Sequence, residues 1–442
     1  MKRQEHKNRK NQLKMNQNYY VHKDTRTIFE SPTDGHSYFF GYYDKSPFDA
    51  TDTLLLTHRT DFDGRPITAE DEAEVGFWNI GTREFTTIGV SRAFNWQQGS
   101  HLQWMPPDFQ SRIIYNDRRD GQFVSVVYSV DSGEETVHSC PIYAVHPSGR
   151  FALAANYERL YFCRPGYNYP GVINRTWDVP IHEEDGIYRL DFYTGEVTQV
   201  IRTRDVVDIG YQSELEDCDN WLEHMMWNPN GTRFAFLHRW DSGNEGHRTR
   251  LFTADADGRD IYMFPDVGFY SHMNWKNDQV FTIWALVPSG RSKIMQDFST
   301  SSSLLYKTAK LAYQPIKMLL GKKRAARLVR NTAFINYTDQ SRELTILGRE
   351  VLPDNGHNSW SHDERYMLTD TYQDDDCYRH LWIYDSENNS TESIGKFYSL
   401  YNDSEYRADL HPRWSRNERM IAVDSAHTEN RKLIVLSATR KE

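Results

Sequence analysis

The sequence predicts an all-β fold, a seven-bladed β-propeller that carries a short basic helical insertion. The first observation is a four-residue repeat, His-x-x-Trp, which starts at His101, His224, His272, His357 and His411. The second is the layout after the repeat, where a polar turn separates alternating apolar residues, as in HMMWNPNGTRFAFLHRW. The third is an aromatic content of 14%, because strands favour aromatic residues. Strand pairs that recur at roughly 40–55 residues are typical of propellers with four strands to a blade.

Seven segments open with this pattern or a variant of it. Later segments such as RLFTADADGRDIYMF and HLWIYDSENNSTESIG predict hairpins, because alternating apolar residues flank a polar turn. The propeller is predicted over residues 35–442, after a polar N-terminal extension at residues 1–34. The seven blades are predicted to start near Tyr42, His101, Tyr143, His224, His272, His357 and His411.

The interval between His272 and His357 is too long for one blade, so residues 290–335 are predicted to leave the sheet as helices. Within it, residues 301–330 carry eight Lys and Arg and no acidic residue. Pro315 is expected to divide this segment into two helices. Basic amphipathic segments often lie on anionic membrane surfaces. A helical hairpin packed on the propeller, with its lysines in water, and a lid over the central funnel remain alternatives.

Charge and composition exclude some classes of protein. The net charge of −10 argues against nucleic acid as a partner. The four cysteines form no C-x-x-C pair, which favours buried thiols in a reducing compartment. The basic, polar start lacks the apolar run of a signal peptide, and no stretch approaches the ~20 apolar residues of a membrane span. We therefore expect a cytoplasmic protein, with peripheral contact to the inner membrane face through residues 301–330 as an additional hypothesis.

The repeat has a physical interpretation in a propeller. The innermost strand of each blade lines the central channel, and positions i and i+3 of a strand face opposite sides. The His would then face the funnel while the Trp packs between sheets; a His that caps a turn is the alternative. The sequence establishes no cofactor, but a divalent metal is an alternative, since imidazole suits Zn or Mn. The candidate ligands are His272, His357 and His411.

Four stretches carry a resemblance to a known family: GYYDKSPF at 41–48, NWQQGSHLQW at 95–104, PIYAVHPSGRFALAANYERLYFCRPGY at 141–167 and HMMWNPNGTRFAFLHRW at 224–240. There the chain resembles seven-bladed propeller polysaccharide lyases of the ulvan lyase type. More distantly, its histidine-started blades resemble those of oligogalacturonate lyase. The resemblance runs from about Gly35 to Leu436 and implies β-elimination on a uronate-containing glycan. In the family, an Arg acts together with Tyr and His.

A uronate lyase removes the proton at C5 and expels the substituent at O4. The reaction needs a cation beside the carboxylate, a base, and an acid for the leaving oxygen. By resemblance, Tyr143 and Arg159 match the Tyr and Arg of the family. The chain has Gln97 and Gln98 where a catalytic His is expected, and His101 lies three residues further on.

Other residues complete the predicted site. Arg239 is a candidate second carboxylate clamp, because its planar fork grips a carboxylate through two parallel hydrogen bonds. We expect the tips of Tyr143, Arg159, Arg239, His101 and His224 to lie within roughly 10–12 Å of one point, the span of an ordinary sugar pocket. Only one of His238 and Arg239 is expected to face the funnel, since strand neighbours point to opposite sides. The predicted substrate-binding residues are His224, His238, Tyr43 and Gln98.

Three functions follow in order of preference. The first is a polysaccharide lyase acting on an acidic polysaccharide or oligosaccharide. The second is a glycosyltransferase-like, membrane-peripheral factor in surface-polysaccharide biosynthesis, because no export signal is visible; no G-x-G-x-x-G or βαβ pattern marks a nucleotide-sugar fold. The third is a non-catalytic propeller that binds glycan or protein, since a fold does not determine a function.

Overall fold

The computed structural model describes residues 19–172, 178–241, 247–288, 331–403 and 405–438. Over these ranges, 29 strands pair into seven sheets, six of four strands and one of five. The fold is a seven-bladed β-propeller, which confirms the predicted class. Among the described residues, no helix has the length and hydrophobicity that crossing a bilayer requires.

The described chain starts with two short strands that complete the last two blades. Strand β1 (Tyr19–Val21) is the fifth strand of the sixth blade, and β2 (Thr27–Glu30) is the outer strand of the seventh. Phe29 of β2 is buried in the core. Residues 19–21 and 27–30 of the predicted extension are thus strands of the propeller, while residues 1–18 lie outside the described residues.

The first three blades are built from consecutive strands, from the inner to the outer edge. They hold β3 (Ser37–Phe39), β4 (Leu54–Thr60), β5 (Ala73–Asn79) and β6 (Phe85–Ser91); β7 (Gln103–Trp104), β8 (Arg112–Arg119), β9 (Gln122–Ser129) and β10 (Glu135–His138); and β11 (Ala144–Val145), β12 (Phe151–Ala154), β13 (Gly186–Asp191) and β14 (Val197–Arg202). Helix α1 (Tyr157–Cys163) follows β12. Helix α2 (Thr203–Asp208) and a 3₁₀ helix (Ser213–Asp217) follow β14.

The other four blades repeat the arrangement. They hold β15 (Asn220–Trp227), β16 (Arg233–Asp241), β17 (His247–Asp255) and β18 (Tyr262–Met263); β19 (Tyr270–Trp275), β20 (Val280–Leu286), β21 (Thr332–Thr338) and β22 (Leu344–Leu347); β23 (Asn358–Trp360), β24 (Tyr366–Asp370), β25 (Tyr378–Asp385) and β26 (Ser390–Tyr398); and β27 (Arg413–Trp414), β28 (Met420–Ser425) and β29 (Lys432–Ser437).

The predicted helical insertion at 290–335 lies outside the described residues up to residue 330. Residues 332–335 belong to β21, which pairs with β20 from Leu286 opposite Thr332. The long interval is therefore flanked by two neighbouring strands of the fifth blade.

The described residues divide into two compact units. The first holds residues 19–172, 189–198 and 356–438, and contains blades one, two, six and seven. The second holds residues 178–188 and 199–355, and contains blades four and five. Aromatic rings fill the core of each, as the composition predicts: Trp78 and Trp104 in the first, Phe264, Trp275 and Phe281 in the second.

The Trp of the repeat ties its blade to the preceding one. The buried indole N–H donates to a backbone carbonyl on the neighbouring inner strand or the loop beside it, which gives a buried polar group its partner. These bonds are Trp104 to Pro47 (3.1 Å), Trp275 to Met226 (3.0 Å) and Trp414 to Ser359 (3.1 Å). The prediction that the Trp packs between sheets is confirmed for these three blades.

The His of the repeat does not follow regular strand alternation. Four of the five histidines have left-handed backbone, with φ of +53°, +57°, +49° and +45° at His101, His224, His272 and His411. In β15 and β19 the pairing register shifts at the His, which marks a β-bulge. A bulge adds a residue and re-aims the side chain, so the His direction comes from the bulge.

The first blade departs from the repeat. Its inner strand, β3, ends at Phe39, so the predicted start near Tyr42 lies after the strand. The segment that follows contains Gly41, with φ of +124°. A Cβ on this residue would lie 2.6 Å from the backbone carbon of Gln98. Only glycine fits this crossing without displacing the backbone, because it has no Cβ and tolerates positive φ.

Candidate functional site in the first unit

The first unit contains a buried cluster of His357, Asp409 and His411. One ligand atom from each lies within 4.8 Å of the others. His357 immediately precedes β23, and His411 lies two residues before β27, so the starts of two neighbouring inner strands deliver the imidazoles. Their ring centroids are 4.3 Å apart at 86°. The sixth and seventh blades thus bring two repeat histidines to one point.

The Nδ1 atom of each imidazole faces a hydrogen-bond acceptor. His411 Nδ1 lies 2.8 Å from the carbonyl oxygen of Gly41, which only accepts, so Nδ1 carries the proton and Nε2 the lone pair. His411 Nε2 is buried and has no hydrogen-bond partner among the described residues. His357 Nδ1 lies 2.9 and 3.0 Å from the two carboxylate oxygens of Asp370. Histidines that bind metals through Nε2 are oriented in this way.

Asp370, at the end of β24, holds both histidines. Besides the His357 ring, its carboxylate accepts the backbone N–H groups of His357 at 2.7 Å and His411 at 3.1 Å. One buried carboxylate therefore fixes the positions of both imidazoles. The sequence argument missed this residue, because nothing in its strand marks the aspartate as different from any other.

Asp409 is the anionic member of the cluster. Its fully buried carboxylate pairs with Arg379 Nη1 at 2.5 Å and with Arg407 Nε at 2.6 Å. Burial alone would raise its pKa, but the two guanidinium groups hold the pKa well below the ordinary value. The carboxylate stays charged at any ordinary pH. Asp409 was also missed, although its spacing of two residues before His411 puts both on one face of an extended chain.

The donor set fits a divalent metal. Two imidazole nitrogens and one carboxylate oxygen suit Mn and Zn. Of the predicted ligands, the structure brings His357 and His411 together, with Asp409 beside them. His272 lies in the second unit, where its Nδ1 is 2.8 Å from Asn355 Oδ1. Its assignment as a ligand stays a prediction.

Buried tyrosines surround the histidines. The Tyr42 ring lies 5.1 Å from His411 and the Tyr43 ring 5.0 Å from His357. Burial raises the pKa of both phenols well above the ordinary value, with charge repulsion from Asp44 adding to the effect. Both rings are therefore neutral and able to donate or accept hydrogen bonds. Tyr43, predicted to bind substrate, lies directly against the cluster.

Three further predicted residues lie together in the same unit. His101 and Tyr143 have ring centroids 4.3 Å apart. Gln98 Nε2 donates to the Tyr143 hydroxyl at 2.6 Å. Lys45 Nζ lies 5.8 Å from the centre of the Tyr143 ring. The first two blades and the start of the third thus bring His101, Gln98 and Tyr143 together.

Arg159, the predicted carboxylate neutraliser, lies on α1 and is buried. Asn156 caps this helix by accepting the backbone N–H of Arg159 at 3.0 Å. Tyr157 of the same helix stacks on Tyr143 with centroids 6.4 Å apart. The pair matched by resemblance, Tyr143 and Arg159, is therefore connected through Tyr157.

In the second unit, Arg239 is engaged with the protein's own carboxylate. Its Nε lies 2.9 Å from Glu223 Oε1 and its Nη1 2.8 Å from His247 Nε2. His224 Nδ1 lies 3.5 Å from the same Glu223 oxygen. These contacts favour a structural role for Arg239 over the predicted clamp. The distance from His224 and Arg239 to Tyr143 stays a prediction.

His238, the neighbour of Arg239, is part of the core. Its Nε2 lies 2.9 Å from Asn220 Oδ1, and the ring stacks on Trp240. Desolvation lowers the pKa of His238 to about 3, with the Arg250 charge acting in the same direction. A neutral, fully buried histidine with a side-chain partner is typical of core structure and does not favour the predicted role in substrate binding.

Comparison with known proteins gives a likeness of fold. No family model matches the sequence, and no curated protein matches it. An oligogalacturonate lyase solved in complex with manganese is 14% identical, with a TM-score of 0.60 and 96% of each chain covered. An oligogalacturonate lyase from Vibrio parahaemolyticus is 11% identical, with the same TM-score and coverage. At such identities the likeness shows the propeller fold, and the likeness to ulvan lyases stays a prediction.

Proposed function

We propose that the protein is a carbohydrate-active enzyme that cleaves a uronate-containing glycan by β-elimination. The observation that carries this proposal is the His357–Asp409–His411 cluster, in which both Nδ1 atoms are engaged and a buried carboxylate completes the donor set. The fold likeness to an oligogalacturonate lyase that binds manganese supports it.

The charges around the cluster favour an acidic substrate. Charged side chains of both signs surround the cluster. Asp370 contacts His357, Arg379 and Arg407 pair with Asp409, and Arg413 donates to the His411 carbonyl and pairs with Asp424. A divalent cation held by His357, Asp409 and His411 would supply a positive charge that offsets a uronate carboxylate. A neutral glycan would leave that charge uncompensated in a buried site.

Proton transfer falls to His101 and Tyr143. In β-elimination a base takes the C5 proton, the electron pair forms the C4–C5 double bond, and the C4–O4 bond breaks as O4 gains a proton. Tyr143, whose hydroxyl oxygen accepts from Gln98 Nε2, is the acid that donates its O–H proton to O4 in this scheme. His101, whose ring packs against Tyr143, is the base in this scheme. Arg159 neutralises the carboxylate, as the family resemblance implies.

Substitution of Tyr143 and Arg159 tests the proposal. Tyr143→Phe and Arg159→Lys should each lower the initial rate by about 10²–10³, the usual cost of removing one stabilising donor. Their thermal midpoints should stay near that of the parent, since neither opens a large cavity. The rate is followed by the absorbance of the unsaturated product on uronate oligomers. Tyr128→Phe, half-buried in β9, is the matched control and should keep the parent rate.

The two readouts separate a catalytic from a structural role. Near-normal rates with lowered midpoints would identify Tyr143 and Arg159 as structural residues and remove the residue-level support for a lyase. The basic segment 301–330, which supports the alternative role in surface-polysaccharide biosynthesis, lies outside the described residues. That role stays a prediction.

A further inference from the structure

Asp44 is a buried carboxylate at the solvent edge of the tyrosine cluster. Its side chain is 4% exposed, although residues 44–46 are half-exposed. Lys45 Nζ contacts one carboxylate oxygen, Oδ2, at 2.5 Å. The other, Oδ1, is buried and has no hydrogen-bond partner among the described residues. Buried polar atoms are nearly always hydrogen-bonded, so this oxygen is a candidate acceptor for a bound group that donates to it.

Gln98 offers a second acceptor beside the same tyrosine. Its side chain is buried, and its Nε2 donates to the Tyr143 hydroxyl. Its Oε1 is buried and has no hydrogen-bond partner among the described residues. Lys45, which pairs with Asp44, lies over the Tyr143 ring. Gln98 Oε1 and Asp44 Oδ1 are thus two open acceptor atoms whose side chains are both linked to Tyr143, Gln98 directly through its Nε2 and Asp44 through Lys45.

The backbone holds Asp44 and Gln98 in fixed relative positions. At Gly41 the loop passes so close to the Gln98 backbone that no side chain fits between them. Asp424 accepts the Gly41 N–H at 3.0 Å, and His411 Nδ1 donates to the Gly41 carbonyl at 2.8 Å. These contacts hold the loop at Gly41, three residues before Asp44, against both the Gln98 backbone and the histidine cluster.

We propose that Asp44 and Gln98 form a subsite for an uncharged, hydroxyl-bearing sugar ring next to the uronate that is cleaved. This subsite rests on the proposed function. Sugar hydroxyls donate hydrogen bonds, which the two acceptors lack. Lys45 already balances the charge of Asp44, so a neutral donor suffices and an ammonium group is not required. A second uronate carboxylate would face the open oxygen of Asp44, and this like-charge contact selects against it.

The test measures the affinity of two probes with the same linkage and ring hydroxyls. One is a galacturonate tetramer, and the other is the same tetramer after partial carboxyl reduction, which converts some of its uronates to neutral galactose. The parent protein should bind the partly reduced probe at least about tenfold more tightly. A tenfold difference in affinity corresponds to only a modest difference in binding free energy. Asp44→Asn keeps an acceptor oxygen but removes the charge, so the preference should fall to within about threefold.

Two further variants keep the comparison specific. Asp131→Asn changes an exposed carboxylate in the same unit and should keep the full preference. Lys45→Met removes the charge that balances Asp44, so the preference for the partly reduced probe should stay the same or increase. If that preference depended on the Asp44–Lys45 ion pair instead, it would disappear in this variant. Thermal midpoints verify that each variant is folded.

The outcomes distinguish the subsite from the function on which it rests. Equal affinity of the parent for both probes, or an unchanged preference in Asp44→Asn, overturns the subsite and means that the two acceptors bind water only. Cleavage of the fully charged probe without preference overturns the subsite and leaves the lyase function standing. Absence of binding to either probe overturns the acidic-glycan function and the subsite with it.

Discussion

His411 in the first unit and His272 in the second unit occupy the same place in the repeat, and both have left-handed backbone. Their surroundings differ. The Nδ1 of His411 donates to a backbone carbonyl, and its Nε2 faces His357 and Asp409. The Nδ1 of His272 lies against the side chain of Asn355. The repeat therefore determines the position of the histidine on its blade, and residues outside the repeat determine what its imidazole can bind.

Glu223 illustrates the same difference in the fourth blade. It lies beside His224 as Asp409 lies beside His411, and both carboxylates are buried and paired with arginine. Asp409, however, stands within reach of the imidazoles of His357 and His411, whereas Glu223 pairs with Arg239 and lies 3.5 Å from His224. A metal site needs this convergence of donors, and in the described residues the first unit provides it.

The largest effect is expected on metal affinity. His411→Ala removes a metal ligand and should weaken Mn²⁺ binding by more than about 100-fold. That figure is the largest loss usually seen when a residue that only orients a ligand is removed. His272→Ala should change the affinity by less than about threefold. Isothermal titration of each folded variant measures both. Equal losses would show that His272 is a ligand, as the sequence predicts, and would end the contrast between the units.

The next effect concerns the residues that orient the histidines. Asp370→Asn should weaken Mn²⁺ binding by about 10–100-fold, because it removes the acceptor of His357 Nδ1 while it keeps the side-chain shape. Asn355→Ala removes the corresponding partner of His272 and should leave the affinity unchanged. The same titration serves for both variants. An Asp370→Asn protein with the parent affinity would mean that the backbone alone positions the imidazoles.

A smaller effect is expected on stability against pH. Desolvation lowers the pKa of His58 in the first unit to about 4 and of His238 in the second to about 3. Between these values and the unfolded pKa near 6.5, the unfolded chain binds a proton that the folded chain does not, so stability falls as pH falls. From pH 6.5 to pH 5 each histidine should lower the free energy of unfolding by about 1.5 kcal/mol.

Chemical unfolding at several pH values tests this. His58→Gln and His238→Gln lower stability at all pH values by breaking hydrogen bonds, so the slope against pH is the readout. Each variant should reduce the slope of unfolding free energy against pH by the contribution of the histidine that it removes. A slope that neither variant changes would assign the acid sensitivity to other groups.

Much of the fold was predictable because its signal is repeated. The His-x-x-Trp openings and the turns after them located six blades, and the aromatic content indicated the strands. The first blade was misplaced at Tyr42 because its inner strand ends at Phe39 and Gly41 follows in place of a repeat histidine. The N-terminal strands were missed because their partners are the edges of the last blades, about 400 residues away.

The site was predictable only in part. His357 and His411 belong to the repeat, so the sequence pointed to them. Asp370 and Asp409 lie outside it and come into contact only through the pairing of strands. The sequence did not show that Arg239 contacts Glu223, which lies on the neighbouring strand two residues after Trp221, the residue paired with Arg239. Carboxylate partners of this kind depend on the tertiary fold, which local patterns do not contain.

The pairing of β2 with β29 has a consequence for synthesis. The N–H of Leu433 donates to the Ser31 hydroxyl across 402 residues of sequence. At about 5–20 residues per second, the ribosome needs roughly 20–80 s to make that stretch. Throughout that time the first strands wait without their partners, and an unpaired strand edge is a template for aggregation. The seventh blade closes across about 400 residues of sequence, so β2 remains an unpaired edge until its partner β29 has been made.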